Sequence, residues 1–240
     1  DRAVKIATNG YPGAVHLSLP VDIMFSHFAE DAGRDERPFD LSMQLPARAW
    51  PEPARLQKML QKLNAAKRPV LIGGHGVWWA KAEAKLEEAG RLLGIPVFNI
   101  PYHQKLLGEE CEAYMGLADI HQYHPSADAF RDADLVLMVG GRLDNQMNFG
   151  NPPLFPSSAE LLCVNGSHEE IEFNRAADFA LLCDPAAFLK TLVAHRQNPD
   201  FRLPRDWYDL NRQWRAAWVD KMLADLDHET TQPAFEGRIH

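Results

Sequence analysis

The sequence predicts an α/β fold built on a doubly wound, mostly parallel sheet, and three observations predict it. Short unbroken apolar runs, of which Leu135–Val139 is the clearest, end in glycines, as is typical of parallel strands buried on both faces. Amphipathic segments with helical spacing alternate with these runs. The connections between them are too short for anything but crossovers. Because ligands bind at the carboxyl edge of such sheets, the segments after the strands are the first candidates for function.

The first elements are predicted by local patterns. Val4–Asn9 is typical of the tail of a helix, and Val15–Leu19 alternates in the manner of a strand that Pro20 closes. Glu52–Ala65 places its apolar residues on one helical face and is predicted to be an amphipathic helix.

The strand at Pro69–Ile72 is broken by glycines, and the chain returns as a helix at Ala80–Leu93, which Gly94 ends. The later elements repeat this alternation. The predicted strands are Pro96–Ile100, Leu135–Val139, Glu160–Val164 and Phe179–Cys183; the predicted helices are Ser126–Arg131, a start at Glu169–Asn174, Pro185–Arg196 and the aromatic-rich Asp206–Asp227.

Shifts in composition divide the chain. Residues 29–44 are polar, acidic and proline-bearing, which is the chemistry of a linker. We therefore expect residues 1–28 to end a preceding domain, residues 45–197 to form the core domain, and residues 198–240 to lead as a helical segment toward a further domain. The chain begins without Met, and we interpret it as a piece of a longer polypeptide.

Composition narrows the class of protein. The chain has 240 residues, of which 46% are hydrophobic and 24% charged, the balance of a folded globular protein. Its net charge of −8, without clustered Lys or Arg, argues against nucleic acid as a partner. No apolar run reaches the roughly 20 residues of a membrane helix, and no spacing of the three cysteines indicates a disulfide frame or zinc site. We expect a cytoplasmic protein that does not contact membranes.

Four motifs in one order resemble a known family. They are Tyr11–Asp22, Lys67–Gly76, the Ala-Asp-hydrophobic-Gly-X-Arg pattern in Ala133–Asp144, and the pair Asn174-Arg175. Together they are similar to the thiamine diphosphate-dependent enzymes that include acetolactate synthase, benzaldehyde lyase, oxalyl-CoA decarboxylase and 2-hydroxyacyl-CoA lyase. The resemblance places the chain at the Rossmann-like central domain, between the end of a pyrimidine-binding domain and a pyrophosphate-binding domain.

The resemblance implies a function for the parent protein. Its members form or cleave carbon–carbon bonds of 2-keto or 2-hydroxyacyl substrates, with thiamine diphosphate and magnesium supplying the chemistry. The activating acid and the magnesium motif of the family lie in the pyrimidine- and pyrophosphate-binding domains. No residue of this chain is therefore assigned a catalytic role, and we expect the segment alone to be inactive. Relatives are generally homodimers or homotetramers, and the same is expected here.

The candidate binding residues follow two of the predicted strands, Pro69–Ile72 and Leu135–Val139. Glycine turns at strand ends can present amide hydrogens to phosphate, and an arginine can form a bidentate pair with it. Glycines that end a strand can equally serve only to turn the chain. The candidate residues are Gly73, Gly74, His75, Gly76, Gly140 and Arg142.

One difference from the family pattern, after the predicted strand Glu160–Val164, bears on which ligand could bind. Relatives that bind adenosine commonly carry Asp-Ile-Asp after the next strand, where this chain has Asn165-Gly166-Ser167, and amides and hydroxyls accept hydrogen bonds less strongly than carboxylates. The segment Arg142–Pro153 is similar to the lyase and acyl-CoA branches, which favours an ADP or coenzyme A type nucleotide over FAD.

Two other functions stay open. The same sheet could serve as a non-catalytic nucleotide-binding or regulatory module, which a following domain with the magnesium motif would exclude. His103, His121 and His124 raise the hypothesis of a metal hydrolase, but no glutamate is placed as such a zinc site needs, and a histidine-bearing surface loop is the simpler interpretation.

Overall fold

The computed structural model describes residues 2–9, 12–27, 48–101, 106–119, 124–171 and 173–231. The chain divides into two units, Asp1–Arg48 and Ala49–His240. The predicted linker at residues 29–44 lies outside the described residues.

The described residues of the first unit form two short helices with a segment of no regular secondary structure between them. Helix α1 spans Arg2–Thr8, which confirms the helix predicted at Val4–Asn9, and helix α2 spans Val21–Met24. The strand predicted at Val15–Leu19 is wrong: these residues have no regular secondary structure and are exposed, and no described strand pairs with them. Alternation of apolar residues favours a strand, but a strand forms only where a second backbone accepts its hydrogen bonds.

The second unit is built on a parallel sheet, as the sequence predicts. In the described part of the chain it has six strands in the order β3-β2-β1-β4-β5-β6, all parallel to their neighbours. The order reverses direction between β1 and β4, so the sheet is doubly wound. The strands are β1 Pro69–Gly73, β2 Val97–Asn99, β3 Tyr114–Leu117, β4 Leu135–Val139, β5 Glu160–Asn165 and β6 Phe179–Leu182.

Helices connect and cover these strands. Helix α3 begins after Glu52, whose carboxylate accepts from the amides of Ala54 and Arg55, both at 2.9 Å, and so satisfies two amides of the first turn. Helix α7 begins in the same way, because Asp184 accepts from the amide of Ala187 at 2.9 Å. The helices of this unit are α3 Pro53–Ala65, α4 His75–Trp79, α5 Glu83–Leu93, α6 His124–Asp132, α7 Pro185–His195 and α8 Arg205–Thr231.

Four elements differ from the prediction. The helix predicted at Ala80–Leu93 is confirmed as α5 but begins later, at Glu83, because Lys81 takes a left-handed φ of 54°. The short helix α4, in the predicted glycine turn and just after it, was not predicted. The helix predicted to start in Glu169–Asn174 is wrong: the described residues of this range form no α-helix beyond the 3-10 turn His168–Glu170, and Asn174 has a φ of 74°. Strand β3 was not predicted, because its four residues include a glycine and follow an acidic loop.

The core lies on both faces of the sheet. Every residue of β1 and of β4 is buried, as expected of central parallel strands. Phe130 of α6 packs between two other rings, edge-on to Phe98 at 5.0 Å and stacked with Phe155 at 4.9 Å between ring centroids. Burying one such side chain contributes about 1.5–3 kcal/mol.

The first half of α8 belongs to this core. Trp207 is buried, and its indole Nε1 donates to the carbonyl of Pro69 at 2.9 Å, which ties α8 to the beginning of β1. Farther along, Arg215 donates to the carbonyl of Glu109 at 2.9 Å and pairs with its carboxylate at 2.6 Å. Among the described residues, no helix combines the length and the apolar character needed to cross a membrane.

Candidate functional site

The turns that follow β1 and β4 meet at the carboxyl edge of the sheet, where the strand order reverses. The amide of Gly74 donates to the carbonyl of Val139 at 2.9 Å, and the amide of Gly76 donates to that of Gly140 at 2.7 Å. The amide of Gly140 in turn donates to Val164 of β5 at 2.7 Å. The structure thus brings the predicted glycines together at one place.

The two turns approach so closely that side chains do not fit between them. A Cβ atom on Gly74 would lie 2.4 Å from the Cα of Gly141 and 2.6 Å from the carbonyl oxygen of Gly140. Gly140 itself has a φ of +66°, a conformation that glycine adopts without strain. Glycine is required here by backbone contact.

The predicted glycines use their amides in hydrogen bonds within the protein. The amides of Gly74, Gly76 and Gly140 donate to carbonyl groups of the protein, so in this conformation they shape the edge of the sheet. Gly73 ends β1 beneath α5, where an added Cβ would lie 2.8 Å from Leu86 Cδ2. His75 begins α4 and is half-buried.

Arg142 is the predicted residue with an exposed charged side chain at this edge. Its Nη1 lies 3.5 Å from Oε1 of Glu170, and its guanidinium lies over the ring of Phe173, 4.8 Å from the centroid. Almost half of the Arg142 side chain is exposed, at 45%, whereas that of Glu170 is 12% exposed. Arg142 therefore faces solvent on one side and a carboxylate on another.

Two residues of the resemblance motif connect the loops after β4 and β5. Asn174 Nδ2 donates to the carbonyl of Leu143 at 2.5 Å. Arg175 donates to two carbonyls, that of Gly150 at 3.0 Å and that of Ala159 at 2.7 Å. The sequence predicted no site role for this pair, and the structure gives it a structural one.

The loop after β4 holds unusual backbone geometry. Asn148 and Phe149 have φ values of 49° and 53°, in the left-handed region that costs a non-glycine residue about 1–3 kcal/mol. Met147 is fully buried beneath the loop, while Phe149 is 45% exposed. The hydrogen bond from Arg175 to the carbonyl of Gly150 helps to hold this conformation. The exposed ring of Phe149 lies seven residues after Arg142 in the sequence.

A buried polar atom at the end of β2 was missed by sequence reasoning. Asn99 is 3% exposed, and its Nδ2 donates to the carbonyl of Leu107 at 3.2 Å. Its Oδ1 has no hydrogen-bond partner among the described residues. Most buried polar atoms in proteins have a hydrogen-bond partner, so this oxygen is a candidate acceptor at the carboxyl edge of the sheet. An asparagine that directly ends an apolar run was the available signal.

The cysteines offer no activated nucleophile. All three are buried thiols that are not part of a disulfide. Burial raises the pKa of Cys183 to about 12, with the carboxylate of Asp184 adding to the effect. Burial also raises the pKa of Cys111. A thiol with a raised pKa carries little of the reactive thiolate at neutral pH.

The side chains of the three histidines behind the metal hypothesis lie outside the described part of the structure. His103 and His121 lie outside them, and the side chain of His124, at the beginning of α6, is not described. Within the described ranges, no group of three or more His, Cys, Asp or Glu side chains is placed to hold a metal ion.

A known protein family matches the part of the chain that forms the parallel sheet. The family model described as the central domain of thiamine pyrophosphate enzymes matches residues 56–192, which run from α3 into α7 and make up more than half of the chain. The chain belongs to the thiamine pyrophosphate enzyme family. The matched range is the region of the family's central domain, and it contains all the candidate residues.

Curated relatives come from two branches of the family. The acetolactate synthase large subunit of Cyanidium caldarium is 26% identical over 222 residues, covering 90% of this chain and 37% of the relative. The 2-hydroxyacyl-CoA lyase of Arabidopsis thaliana is 25% identical over 188 residues, covering 73% of this chain and 30% of the relative. The 2-hydroxyacyl-CoA lyase 1 of Dictyostelium discoideum is 27% identical over 235 residues, covering 95% of this chain and 39% of the relative. The chain spans about a third of the length of these relatives.

Solved structures share the fold of the central domain. A thiamin diphosphate-dependent enzyme from Mycobacterium smegmatis superimposes with a TM-score of 0.56 at 25% identity, covering 67% of this chain and 31% of that one. Benzoylformate decarboxylase from Polynucleobacter necessarius gives a TM-score of 0.53 at 18% identity, covering 65% and 29%.

Proposed function

We propose that this chain is the central domain of a thiamine diphosphate- and magnesium-dependent lyase or synthase that acts on the carbon–carbon bonds of 2-keto or 2-hydroxyacyl substrates. The observation that carries the proposal is the family match over residues 56–192, which coincides with a six-stranded parallel sheet among the described residues. Relatives named acetolactate synthase and 2-hydroxyacyl-CoA lyase support the substrate class.

In this proposal the domain is first a scaffold. Residues 1–28 end the pyrimidine-binding domain, residues 29–44 link it to the central domain at 45–197, and residues 198–240 lead toward the pyrophosphate-binding domain. Thiamine diphosphate and magnesium are bound by those flanking domains of a cytoplasmic homodimer or homotetramer, so the chain by itself is inactive. When bound, the cofactor supplies carbanion stabilisation.

The proposal extends to a nucleotide of the ADP or coenzyme A type, in preference to FAD, at the carboxyl edge of the sheet. Two observations support it. Arg142 presents an exposed guanidinium beside the reversal of strand order, where nucleotides bind in such folds. The orphan Oδ1 of Asn99 is an acceptor at the end of the neighbouring half of the sheet. The glycines and His75 shape this edge, and Arg142 contacts the ligand.

Cofactor dependence tests the enzymatic part. The full-length parent should convert 2-keto or 2-hydroxyacyl substrates only with thiamine diphosphate and magnesium. The purified 240-residue chain should neither bind thiamine diphosphate in calorimetry nor release carbon dioxide from pyruvate. Turnover by the pure chain would contradict the domain assignment, and a parent that lacks thiamine diphosphate binding would contradict the enzymatic proposal.

Calorimetry with ADP and coenzyme A tests the nucleotide part. Arg142→Ala should weaken binding by roughly tenfold or more, because charge-assisted hydrogen bonds to phosphate are lost. Arg131→Ala is the matched control, since Arg131 is an arginine of similar exposure, 52% against 45% for Arg142, that pairs with Asp128 on α6. An absence of heat with the unchanged chain would remove the nucleotide from the proposal and leave the enzymatic part intact.

A further inference from the structure

The second half of α8 extends beyond the packed part of its unit. In the first half Trp207 is buried, and Trp214 is half-buried and edge-on to it, at 5.8 Å between ring centroids. Beyond Val219 the environment changes, and each of residues 220–226 is exposed. The helix nevertheless continues to Thr231. Because a helix of about 12 residues is only marginally stable in water without tertiary contacts, this half of α8 requires a packing partner.

An apolar stripe runs along this second half. Four residues form it, at the i, i+3, i+4, i+7 spacing that places side chains on one face of a helix: Val219, Met222, Leu223 and Leu226. Val219 is half-buried, whereas Leu223 is 56% exposed and Leu226 is 50% exposed. These four residues are the distal stripe. Contiguous apolar side chains that are left exposed at helical spacing are typical of a face that packs against another helix.

The charges along α8 indicate which helix that is. Residues 210–217 contain Arg212 and Arg215 and no acidic residue, whereas residues 224–231 contain two aspartates and a glutamate and no Lys or Arg. Two parallel copies of α8 would place their acidic ends side by side. Two antiparallel copies place the acidic end of each helix beside the arginines of the other, so the helix is complementary in charge to a second copy of itself.

A groove at the beginning of the distal stripe suits this arrangement. It is lined by Arg212, Arg215, Ala216, Val219 and Asp220. Arg212 Nη1 pairs with Oε1 of Glu112 at 3.0 Å, but its side chain remains 47% exposed, and a guanidinium has five N–H donors. The groove thus offers apolar contact and an exposed cation together. The acidic end of α8 carries the matching chemistry, because Leu226 stands between two aspartates in the sequence.

We infer that the distal stripe binds a second copy of this chain, with the two α8 helices packed antiparallel. In such a two-fold symmetric pair the same surface contacts itself. Val219 of one copy then lies near Leu226 of the other, and Met222 and Leu223 lie near the symmetry axis. The inference deepens the proposed function, because it gives the proposed homodimer or homotetramer a contact surface. The cofactor and nucleotide parts of that proposal do not depend on it.

Sedimentation velocity of the 240-residue chain, between about 1 and 100 µM, tests the association. The helix contact is about 20 Å long and buries less than the roughly 1,200 Å² of a standard interface, so we expect a reversible dimer with a Kd in the micromolar range. Leu223→Glu places a charge in the stripe and should raise the Kd by roughly tenfold or more. Leu210→Glu is the matched control, since Leu210 is an exposed leucine of α8 outside the stripe, and it should leave the Kd unchanged.

Two outcomes would overturn the inference. A chain that stays monomeric up to about 100 µM has no affinity of the expected size for a second copy, and the stripe would then be left for another domain of the parent. A dimer that Leu223→Glu and Leu210→Glu weaken equally would have its interface elsewhere. In both cases the enzymatic and nucleotide proposals stand.

Cysteine cross-linking under an added oxidant tests the orientation. Val219 and Leu226 are seven residues apart, which is about 10 Å along a helix. A mixture of Val219→Cys and Leu226→Cys should therefore form disulfide-linked dimers, whereas each variant alone should form few. Met222→Cys, near the axis, should link to itself. The unchanged chain, whose three thiols are buried, is the blank. Self-linking of both outer variants without mixed linkage would refute the antiparallel arrangement.

Discussion

The amide of Gly76 donates a 2.7 Å hydrogen bond to the carbonyl oxygen of Gly140, and this bond joins the turns after β1 and β4. The two turns come from opposite halves of the doubly wound sheet, where ligand sites of this fold are found. Because the backbones are in contact there, we propose that side chains just beyond the contact, such as the exposed Arg142, bind the ligand.

Gly74→Ala should destabilise the protein by about 1–3 kcal/mol or more, because the added methyl would lie 2.4 Å from the Cα of Gly141 and neither backbone can move freely. The midpoint of urea unfolding measures the loss. Gly166→Ala is the control: its Cβ would meet nothing closer than the carbonyl of Cys183 at 4.0 Å, and its stability should change by less than about 0.5 kcal/mol. Equal midpoints for the two variants would contradict the prediction.

Arg175→Lys should loosen the loop after β4, because a single ammonium cannot donate to the carbonyls of Gly150 and Ala159 in the fork geometry of a guanidinium. Amide hydrogen exchange over residues 145–151 should accelerate by roughly tenfold, the effect of losing about 1–1.5 kcal/mol of local stability. Strand β1 should exchange as before. As a control, Arg131→Lys, on the exposed side of α6, should leave the exchange of both segments unchanged. If residues 145–151 exchange as slowly in Arg175→Lys as in the unchanged protein, Arg175 does not stabilise the loop.

The alkaline stability of the protein should depend on Tyr208. Burial raises the pKa of this phenol from 10.0 to about 12; the carboxylate of Glu112 adds to the shift, and Arg205 and Arg212 oppose it. The folded protein therefore holds the proton more tightly than the unfolded chain. Its contribution to stability is complete below pH 10 and is lost as the pH rises toward 12.

Urea unfolding at pH 8 and pH 11 tests this titration. Tyr208→Phe cannot ionise, so its free energy of unfolding should fall less between the two pH values than that of the unchanged protein. Some decline should remain, since burial also raises the pKa of Tyr114 to about 12. Comparison within each variant removes the effect of lost packing, and identical declines would show that the Tyr208 phenol does not titrate as expected.

The sequence alone was sufficient for five of the six described strands and for the candidate edge. Leu135–Val139 was predicted as a strand with the bounds that the structure has, because five buried apolar residues in a row have few other places in a fold. The glycines after β1 and β4 were both named, since an apolar run that ends in glycine marks where a strand gives way to a turn.

Other features were decided only by tertiary structure. Val15–Leu19 alternates like a strand yet has no described partner, and the hydrogen bonds of a strand depend on a second backbone that local sequence does not specify. The pairing of Glu170 with Arg142 joins residues 28 positions apart. Local patterns report spacing along the chain, whereas contacts between loops depend on where each strand ends in the assembled sheet, so only the folded structure could bring these two charges together.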